Sequence, residues 1–111
     1  MALLSILRQV IILVLNINMD NETREILTIL QEESAEVIVE VSKCFRFGPD
    51  QLMEKTNLTN IQRLEKELGD LCAMIDLLVD KDIGVTHAGI SSAKIAKFEK
   101  LKQYSNIRIN K

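Results

Sequence analysis

Apolar positions recur with the period of an α-helix from Asp20 onward, and little in the pattern indicates strands. A cap from Asp20, Asn21 or Thr23 is predicted to start the first helix. This helix should end within residues 45–49, where the only glycine-proline pair favours a turn. Its apolar side would be formed by Ile26, Leu27, Leu30, Val37, Ile38, Val41 and Cys44.

Two more helices are predicted after a polar loop or single turn over residues 50–57. Thr59 and Gln62 have the spacing of a capping box and would open the second helix. Its apolar positions are Ile61, Leu64, Leu68, Leu71, Cys72, Ile75 and Leu78. Residues 84–89 break it, and Ser91 or Ser92 is predicted to cap a third helix that ends before a polar tail. The pattern therefore predicts an all-α fold.

The first 17 residues are almost wholly apolar, but Arg8 and Gln9 interrupt them. The remaining run is far shorter than the roughly 20 residues that span a bilayer. A secretory signal would need a small-residue cleavage site, and residues 16–20 match one poorly. We favour Met19 as the start, so that residues 1–18 are an apolar leader outside a domain of residues 19–111.

Charge and cysteine content narrow the class of protein. The 111 residues carry 14 basic and 16 acidic side chains without a basic block, which disfavours nucleic acid as a partner. Cys44 and Cys72 fall in apolar helical patterns and form no disulfide or zinc framework. They are predicted to be buried free thiols, as in a protein of the reducing cytoplasm.

Two pairs of acids carry the candidate chemistry. Glu33 precedes Glu36 by three residues, and Glu67 precedes Asp70 by three, so each pair lies one turn apart on its helix. Both pairs fall within or beside the apolar arcs, where isolated carboxylates are costly to bury. Four hard oxygen ligands suit a divalent cation, so the pattern predicts a Mg²⁺ site.

Lysines interrupt the apolar arc of the third helix. Lys94 and Lys97 fall among Phe98, Leu101 and Tyr104. Such lysines either extend their ammonium groups to solvent or reach phosphates held by the metal. The pattern alone leaves both readings open.

These residues resemble a known family. Glu32-Glu33-Ser34-Ala35-Glu36 followed by Glu67-Leu68-Gly69-Asp70 resembles the E-E-x-x-E and E-x-x-D signature of MazG-like nucleotide pyrophosphohydrolases. Arg46-Phe47-Gly48 and the lysine-rich segment 97–102 strengthen the resemblance, which covers residues 26–106. Each motif alone is weak, whereas the two in order are fairly specific.

The resemblance implies an enzyme that hydrolyses a nucleoside triphosphate to the monophosphate and pyrophosphate. It assigns Mg²⁺, with Mn²⁺ as a substitute, to Glu33, Glu36, Glu67 and Asp70. Glu32, Glu33 and Glu36 are the implied catalytic acids, and Glu32 would orient water or a second ion. Lys94 and Lys97 are implied phosphate-binding residues. The chemistry needs no side-chain nucleophile, which fits a chain whose single His87 has no obvious partner.

The family resemblance also implies assembly. Three helices give an incomplete bundle, and such proteins complete a four-helix core by forming homodimers, often further tetramers. A di-iron bundle is disfavoured because it requires Glu-x-x-His pairs. A non-catalytic helical binding module and an enzyme like phosphoribosyl-ATP pyrophosphohydrolase stay open as alternatives. Base preference cannot be derived, because Phe45, Phe47 and Tyr104 are better assigned to core packing than to base stacking.

Overall fold

A computed structural model of the chain describes residues 2–17 and 19–109, without the side chains of residues 12 and 14–17. Met1, Asn18, Asn110 and Lys111, which the predicted leader and polar tail include, lie outside the described residues. The described elements are α1 (Ala2–Ile17), α2 (Asn21–Phe47), β1 (Leu52–Met53), β2 (Leu58–Thr59), α3 (Asn60–Asp80) and α4 (His87–Tyr104). The predicted all-α class is confirmed.

Helix α2 begins and ends where the sequence predicted. The Asp20 carboxylate accepts a hydrogen bond from the backbone N–H of Thr23 at 2.7 Å, which satisfies one of the free donors of the first turn. Gly48 ends the helix with φ 91° and donates its backbone N–H to the carbonyl of Cys44. A side chain would be strained at that positive φ, so glycine suits the position.

A short β-hairpin replaces the loop or single turn that was predicted after α2. Strands β1 and β2 are antiparallel, and Leu52 pairs with Thr59 while Met53 pairs with Leu58. Asn57 turns the chain at φ 56°, and its N–H donates to the carbonyl of Met53 at 2.9 Å. Two-residue strands are too short to produce a visible alternation in the sequence, so the pattern did not predict them.

The predicted capping box opens α3. The Thr59 N–H donates to the Gln62 side-chain oxygen at 2.9 Å, and the Gln62 N–H donates to the Thr59 hydroxyl at 3.2 Å. Asn60 also donates its side-chain amide to the carbonyl of Gly48 at 2.9 Å. The bond from Asn60 joins the start of α3 to the end of α2, so the two helices connect through a short, hydrogen-bonded corner.

Helix α4 begins earlier than predicted. Thr86 is the N-cap, with its hydroxyl accepting from the N–H of Gly89 at 2.9 Å, whereas Ser91 and Ser92 lie inside the helix. Thr86 has the extended backbone, φ −128° and ψ 152°, that a capping residue requires. The prediction of Ser91 or Ser92 as the cap was therefore wrong, because glycine at position 89 does not prevent a helix there.

The chain divides into two compact units, Met1–Leu77 and Leu78–Lys111. The first contains α1, α2, the hairpin and most of α3, and the second contains the last turn of α3 and α4. Ile26 and Met74 are buried in the first unit and Leu78 in the second. Among the described residues of α4, none is buried.

Helix α1 exposes every side chain that the structure describes there. Its large exposed apolar residues are Leu3, Leu4, Ile6, Leu7, Val10, Ile11 and Leu13. Within the described residues, no helix combines the length and apolar content needed to cross a bilayer.

Candidate acidic metal centre

Three of the predicted acids meet between α2 and α3. One carboxylate oxygen from each of Glu33, Glu67 and Asp70 lies within 4.8 Å of the other two, and all three residues are half-buried. Glu67 and Asp70 lie one turn apart on α3, so their shared face turns toward Glu33 on α2. We call Glu33, Glu67 and Asp70 the acid cluster.

Burial and neighbouring acids disfavour ionisation of Glu33. The pKa of Glu33 is raised above its ordinary value of 4.5, first by loss of hydration, then by the charge of Asp70 and a hydrogen bond with Glu67. Loss of hydration and neighbouring acids therefore make Glu33 harder to ionise than an isolated glutamate.

A lysine that the sequence analysis did not single out neutralises part of this charge. The Lys66 ammonium lies 2.8 Å from an Asp70 oxygen and 3.6 Å from a Glu67 oxygen. Its pKa is raised, first by the hydrogen bond to Asp70 and then by that carboxylate's charge. The spacing of Lys66 and Asp70, four residues on one helix, was the available signal. Because the Lys66 side chain is 61% exposed, it can leave the acid cluster without losing buried packing.

A second group of charged residues also joins α2 and α3. Glu40 is fully buried, and its oxygens accept from Arg63 Nε at 3.3 Å, from Arg63 Nη2 at 3.0 Å and from Lys43 Nζ at 3.2 Å. The hydrogen bond from Arg63 holds the pKa of Glu40 below its ordinary range, although burial acts in the opposite direction. Helical spacing gave no signal for this pairing, because Glu40 and Arg63 lie 23 residues apart on different helices.

The other predicted site residues lie outside the acid cluster. Glu32 and Glu36 are exposed on α2. The positive charge of Arg63 nevertheless interacts with Glu36 and Glu67, and both raise the pKa of the guanidinium after the larger effect of Glu40. Lys94 and Lys97 are exposed on α4, in the second unit. The metal-binding role of Glu36 and the phosphate-binding role of both lysines stay predictions.

Two predictions about burial were wrong. Cys44 and Cys72 are free, as predicted, but Cys44 is half-buried and Cys72 is exposed on α3. Phe45, Phe47 and Tyr104 are exposed rather than packed in a core, and the Arg46 guanidinium lies 5.0 Å from the centre of the Phe47 ring. Helical periodicity gives the side of a helix on which a residue lies, but it cannot show whether another element covers that side.

The donor set of the acid cluster fits Mg²⁺. Its three carboxylates supply hard oxygen ligands from two helices, and Mg²⁺ usually takes a few carboxylates and completes its coordination with water and substrate phosphate. The pKa of Glu33 is raised first by loss of hydration and then by the neighbouring negative charge of Asp70, and a cation would relieve the second of these causes. His87, the single histidine, lies at the start of α4 and is not part of the acid cluster, which therefore offers carboxylate oxygens as ligands.

The chain matches no family model, no curated protein and no solved structure. The MazG-like resemblance accordingly rests on the two motifs and stays a prediction.

Proposed function

We propose that this protein is a Mg²⁺-dependent pyrophosphohydrolase of the MazG-like type, which converts ribo- or deoxyribonucleoside triphosphates to the monophosphate and pyrophosphate. The observation that carries this proposal is the acid cluster, in which carboxylates from both predicted motifs lie within 4.8 Å of one another. An ordinary pair of surface acids on one helix would not bring a third acid from another helix to the same point.

The acidic residues would have two roles, metal binding and proton transfer. Glu33, Glu67 and Asp70 would hold Mg²⁺, with Glu36 as a fourth ligand. When bound, Mg²⁺ would neutralise triphosphate charge and polarise a phosphoryl oxygen. Glu32 is exposed beside Glu33 in the sequence and is the proposed base. It would accept a proton from the water that attacks the α-phosphorus, while the bond from that phosphorus to the bridging oxygen breaks and pyrophosphate leaves.

Basic residues would act on the phosphates. Lys66 now contacts Asp70 and Glu67, and its exposed ammonium is free to transfer from these carboxylates to a substrate phosphate. Lys94 and Lys97 are the proposed phosphate-binding residues of α4. Each would contribute a positive charge that favours the triphosphate and the departing pyrophosphate.

We also propose that the chain assembles as a homodimer or tetramer and acts in the cytoplasm. Large apolar side chains on α2 and α3 are exposed, among them Ile38, Val41, Ile61 and Leu68. An open groove of about 280 Å³ lies along α3, lined by Ile61, Gln62, Leu64, Glu65 and Leu68. Burying such faces against a second copy would complete a four-helix core.

The test incubates purified protein with canonical NTPs and dNTPs, with and without Mg²⁺, and separates pyrophosphate from orthophosphate release. We expect Mg²⁺-dependent pyrophosphate together with the monophosphate. Asp70→Asn and Glu36→Gln should each lower turnover by about a hundredfold or more while circular dichroism stays unchanged. Asp76→Asn, which changes an exposed acid on α3 outside the acid cluster, is the matched control and should keep wild-type turnover.

Four outcomes would contradict parts of the proposal. Near-full activity of Asp70→Asn would show that the acid cluster is not the metal site. Near-full activity of Glu36→Gln alone would remove Glu36 from the ligand set. Absence of pyrophosphate release from every nucleotide would favour a non-catalytic binding module. Release only from phosphoribosyl-ATP, added to the panel as a further substrate, would favour an enzyme like phosphoribosyl-ATP pyrophosphohydrolase.

A further inference from the structure

A stripe of charged residues runs along the surface where α2 faces α3. On α2 it contains Glu33 and, seven residues later, Glu40. On α3 it contains Arg63 and, seven residues later, Asp70. Glu40 bonds to Arg63, and Glu33 lies in the acid cluster with Asp70. The numbering rises along one helix as it falls along the other, so α2 and α3 are antiparallel, and the ion pair and the acid cluster lie about 10 Å apart, two helical turns.

The two ends of this stripe act on the helices in opposite ways. The acid cluster places like charges together, which by itself pushes α2 and α3 apart. The guanidinium of Arg63 attracts Glu40 and donates through two of its nitrogens to both carboxylate oxygens. Such a fork is satisfied in only one relative position of the two side chains, so it resists sliding of one helix along the other.

Few apolar side chains of α2 and α3 are fully buried among the described residues, and the others there are half-buried or exposed. In the first unit, Ile26 and Met74 are the apolar side chains classed as buried among the described residues. By contrast, the Glu40 side chain is 1% exposed, so its pairing must be satisfied in the folded chain. The hydrogen bond from Asn60 to Gly48 fixes the corner between the helices but lies nearly three turns along α3 from Asp70.

We propose that Arg63, through its ion pair with Glu40, is a positioning residue that sets the register of α3 on α2 and thereby brings Glu67 and Asp70 to Glu33. This inference rests on the proposed function in so far as the acid cluster is a metal site. It adds a residue outside both motifs. Among the described residues, the hydrogen bonds of Arg63 go to Glu40 and not to a proposed ligand, so we assign its positioning effect to Glu40 and to the helix that carries Arg63.

A purely electrostatic role for Arg63 predicts the opposite change in cation affinity when this residue is removed. Arg63 brings a positive charge near Glu67 and Glu36, so removing it alone would strengthen binding of a divalent cation to the acid cluster. A positioning role predicts weaker binding, because the three carboxylates would no longer converge. The direction of the change in cation affinity therefore separates the two roles.

The decisive variant replaces the pair as a whole, Glu40→Leu with Arg63→Met. It leaves the net charge unchanged, and apolar replacement of a buried ion pair is commonly neutral or stabilising, so the chain should stay folded. Mn²⁺ is the probe, measured by isothermal titration on the full chain. We expect its dissociation constant to rise by about tenfold or more, with the midpoint of thermal unfolding preserved. Arg63→Lys, which keeps a cation beside Glu40, should bind Mn²⁺ more tightly than the paired variant and less tightly than the wild type. Arg46→Gln, which removes an exposed arginine at the end of α2, should bind like the wild type.

A second readout measures the register without any metal. Gln31 on α2 and Cys72 on α3 are exposed. Gln31 lies two residues before Glu33, and Cys72 lies two residues after Asp70. Nitroxide labels on Gln31→Cys and the native Cys72, in a Cys44→Ala background, should give a narrow distance distribution by pulsed electron resonance. In the paired variant we expect that distribution to broaden or to shift by up to about 5 Å, one helical turn.

The two readouts separate failure of this inference from failure of the proposed function. An unchanged label distance, or Mn²⁺ binding as tight as in the wild type, overturns the positioning role. If the wild-type chain does not bind Mn²⁺, the metal centre is wrong, and the label distances alone then decide whether Arg63 sets the register.

Discussion

Glu40 is the most deeply buried charged residue in the described chain, and every contact that satisfies it is a cation. Arg63 and Lys43 hold its carboxylate, and no buried side-chain nitrogen or oxygen among the described residues lacks a hydrogen-bond partner. A buried carboxylate with two cationic partners is strongly stabilised in its ionised form. The stability of the fold should therefore depend on the protonation of this one group.

We expect the free energy of unfolding to fall as the pH drops below 4.5, the ordinary pKa of a glutamate. The pKa of Glu40 is lower in the folded chain, so in this range the unfolded chain binds a proton that the folded chain does not. The contribution is complete above the unfolded pKa and is lost as the pH falls through the folded pKa.

Glu40→Gln should be less stable at pH 7 by about 1 to 3 kcal/mol and should show a shallower loss of stability below pH 4.5. Urea unfolding followed by circular dichroism between pH 3 and pH 7, in the presence of a chelator, measures both quantities. Glu25→Gln, which changes an exposed acid on the same helix, is the control and should retain the wild-type pH dependence. Parallel curves for wild type and Glu40→Gln would show that the ion pair does not carry this dependence.

The complete burial of Glu40 could not be predicted from the sequence, whereas the position of Glu33 beside the apolar side of α2 could. Helical spacing places both residues on or near the apolar side of α2, but it does not show which acid faces an arginine on another helix. The sequence identified Glu33, Glu67 and Asp70 as candidate acids because the same three-residue spacing of acids occurs on two helices. The convergence of three acids, and the position of Glu36 outside them, depends on a register that only the folded structure defines.

At the scale of the elements, local chemistry was predictable and longer-range geometry was not. The caps at Asp20 and Thr59 follow from side-chain bonds to residues three positions away, which a sequence shows directly. The hairpin depends on pairing between two-residue strands, and each strand is too short to carry a pattern. The start of α4 was only partly predictable. A capping residue was expected there, but the sequence offers a threonine and two serines that can each serve as the cap.

Thr86→Ala should weaken the first turn of α4 by about 1 kcal/mol, because the Gly89 N–H would lose the hydroxyl that accepts its hydrogen bond. Amide hydrogen exchange in that turn should accelerate by about fivefold, the factor that corresponds to this energy. Ser91→Ala is the matched control, and it should leave exchange unchanged or slow it, because alanine is the better helix former. Equal acceleration by both substitutions would move the functional start of the helix to the serines.

At the scale of the whole molecule, the chain exposes much of its apolar content. Hydrophobic residues make up 47% of the sequence, yet only Ile26, Met74 and Leu78 are classed as buried apolar side chains among the described residues. The remaining apolar surface falls into separate regions on α1, α2, α3 and α4. Deletion and substitution can test these regions one at a time.

Removal of residues 1–18 should leave the domain folded and active. Every described side chain of α1 is exposed, and α2 carries its own cap at Asp20, so the truncated chain retains the start of that helix. The chain beginning at Met19 should therefore keep the wild-type unfolding midpoint in circular dichroism and the same Mg²⁺-dependent turnover. A lower unfolding midpoint would instead give α1 a role in stabilising the fold.

The groove along α3 should be part of the proposed dimer interface. Ile61 and Leu68 are 46% and 44% exposed there, lie seven residues apart and therefore share one helix face. Leu68→Lys would place an ammonium group in an apolar contact, which we expect to weaken association by about 2 kcal/mol, or roughly thirtyfold in the dissociation constant. Sedimentation equilibrium measures this constant, and Ile107→Lys, at a more exposed position outside α3, is the control that should leave it unchanged. Equal dissociation constants for Leu68→Lys and the wild type would exclude the groove from the interface. A wild-type chain that stays monomeric at every concentration would instead show that a second copy does not cover the apolar faces of α2 and α3.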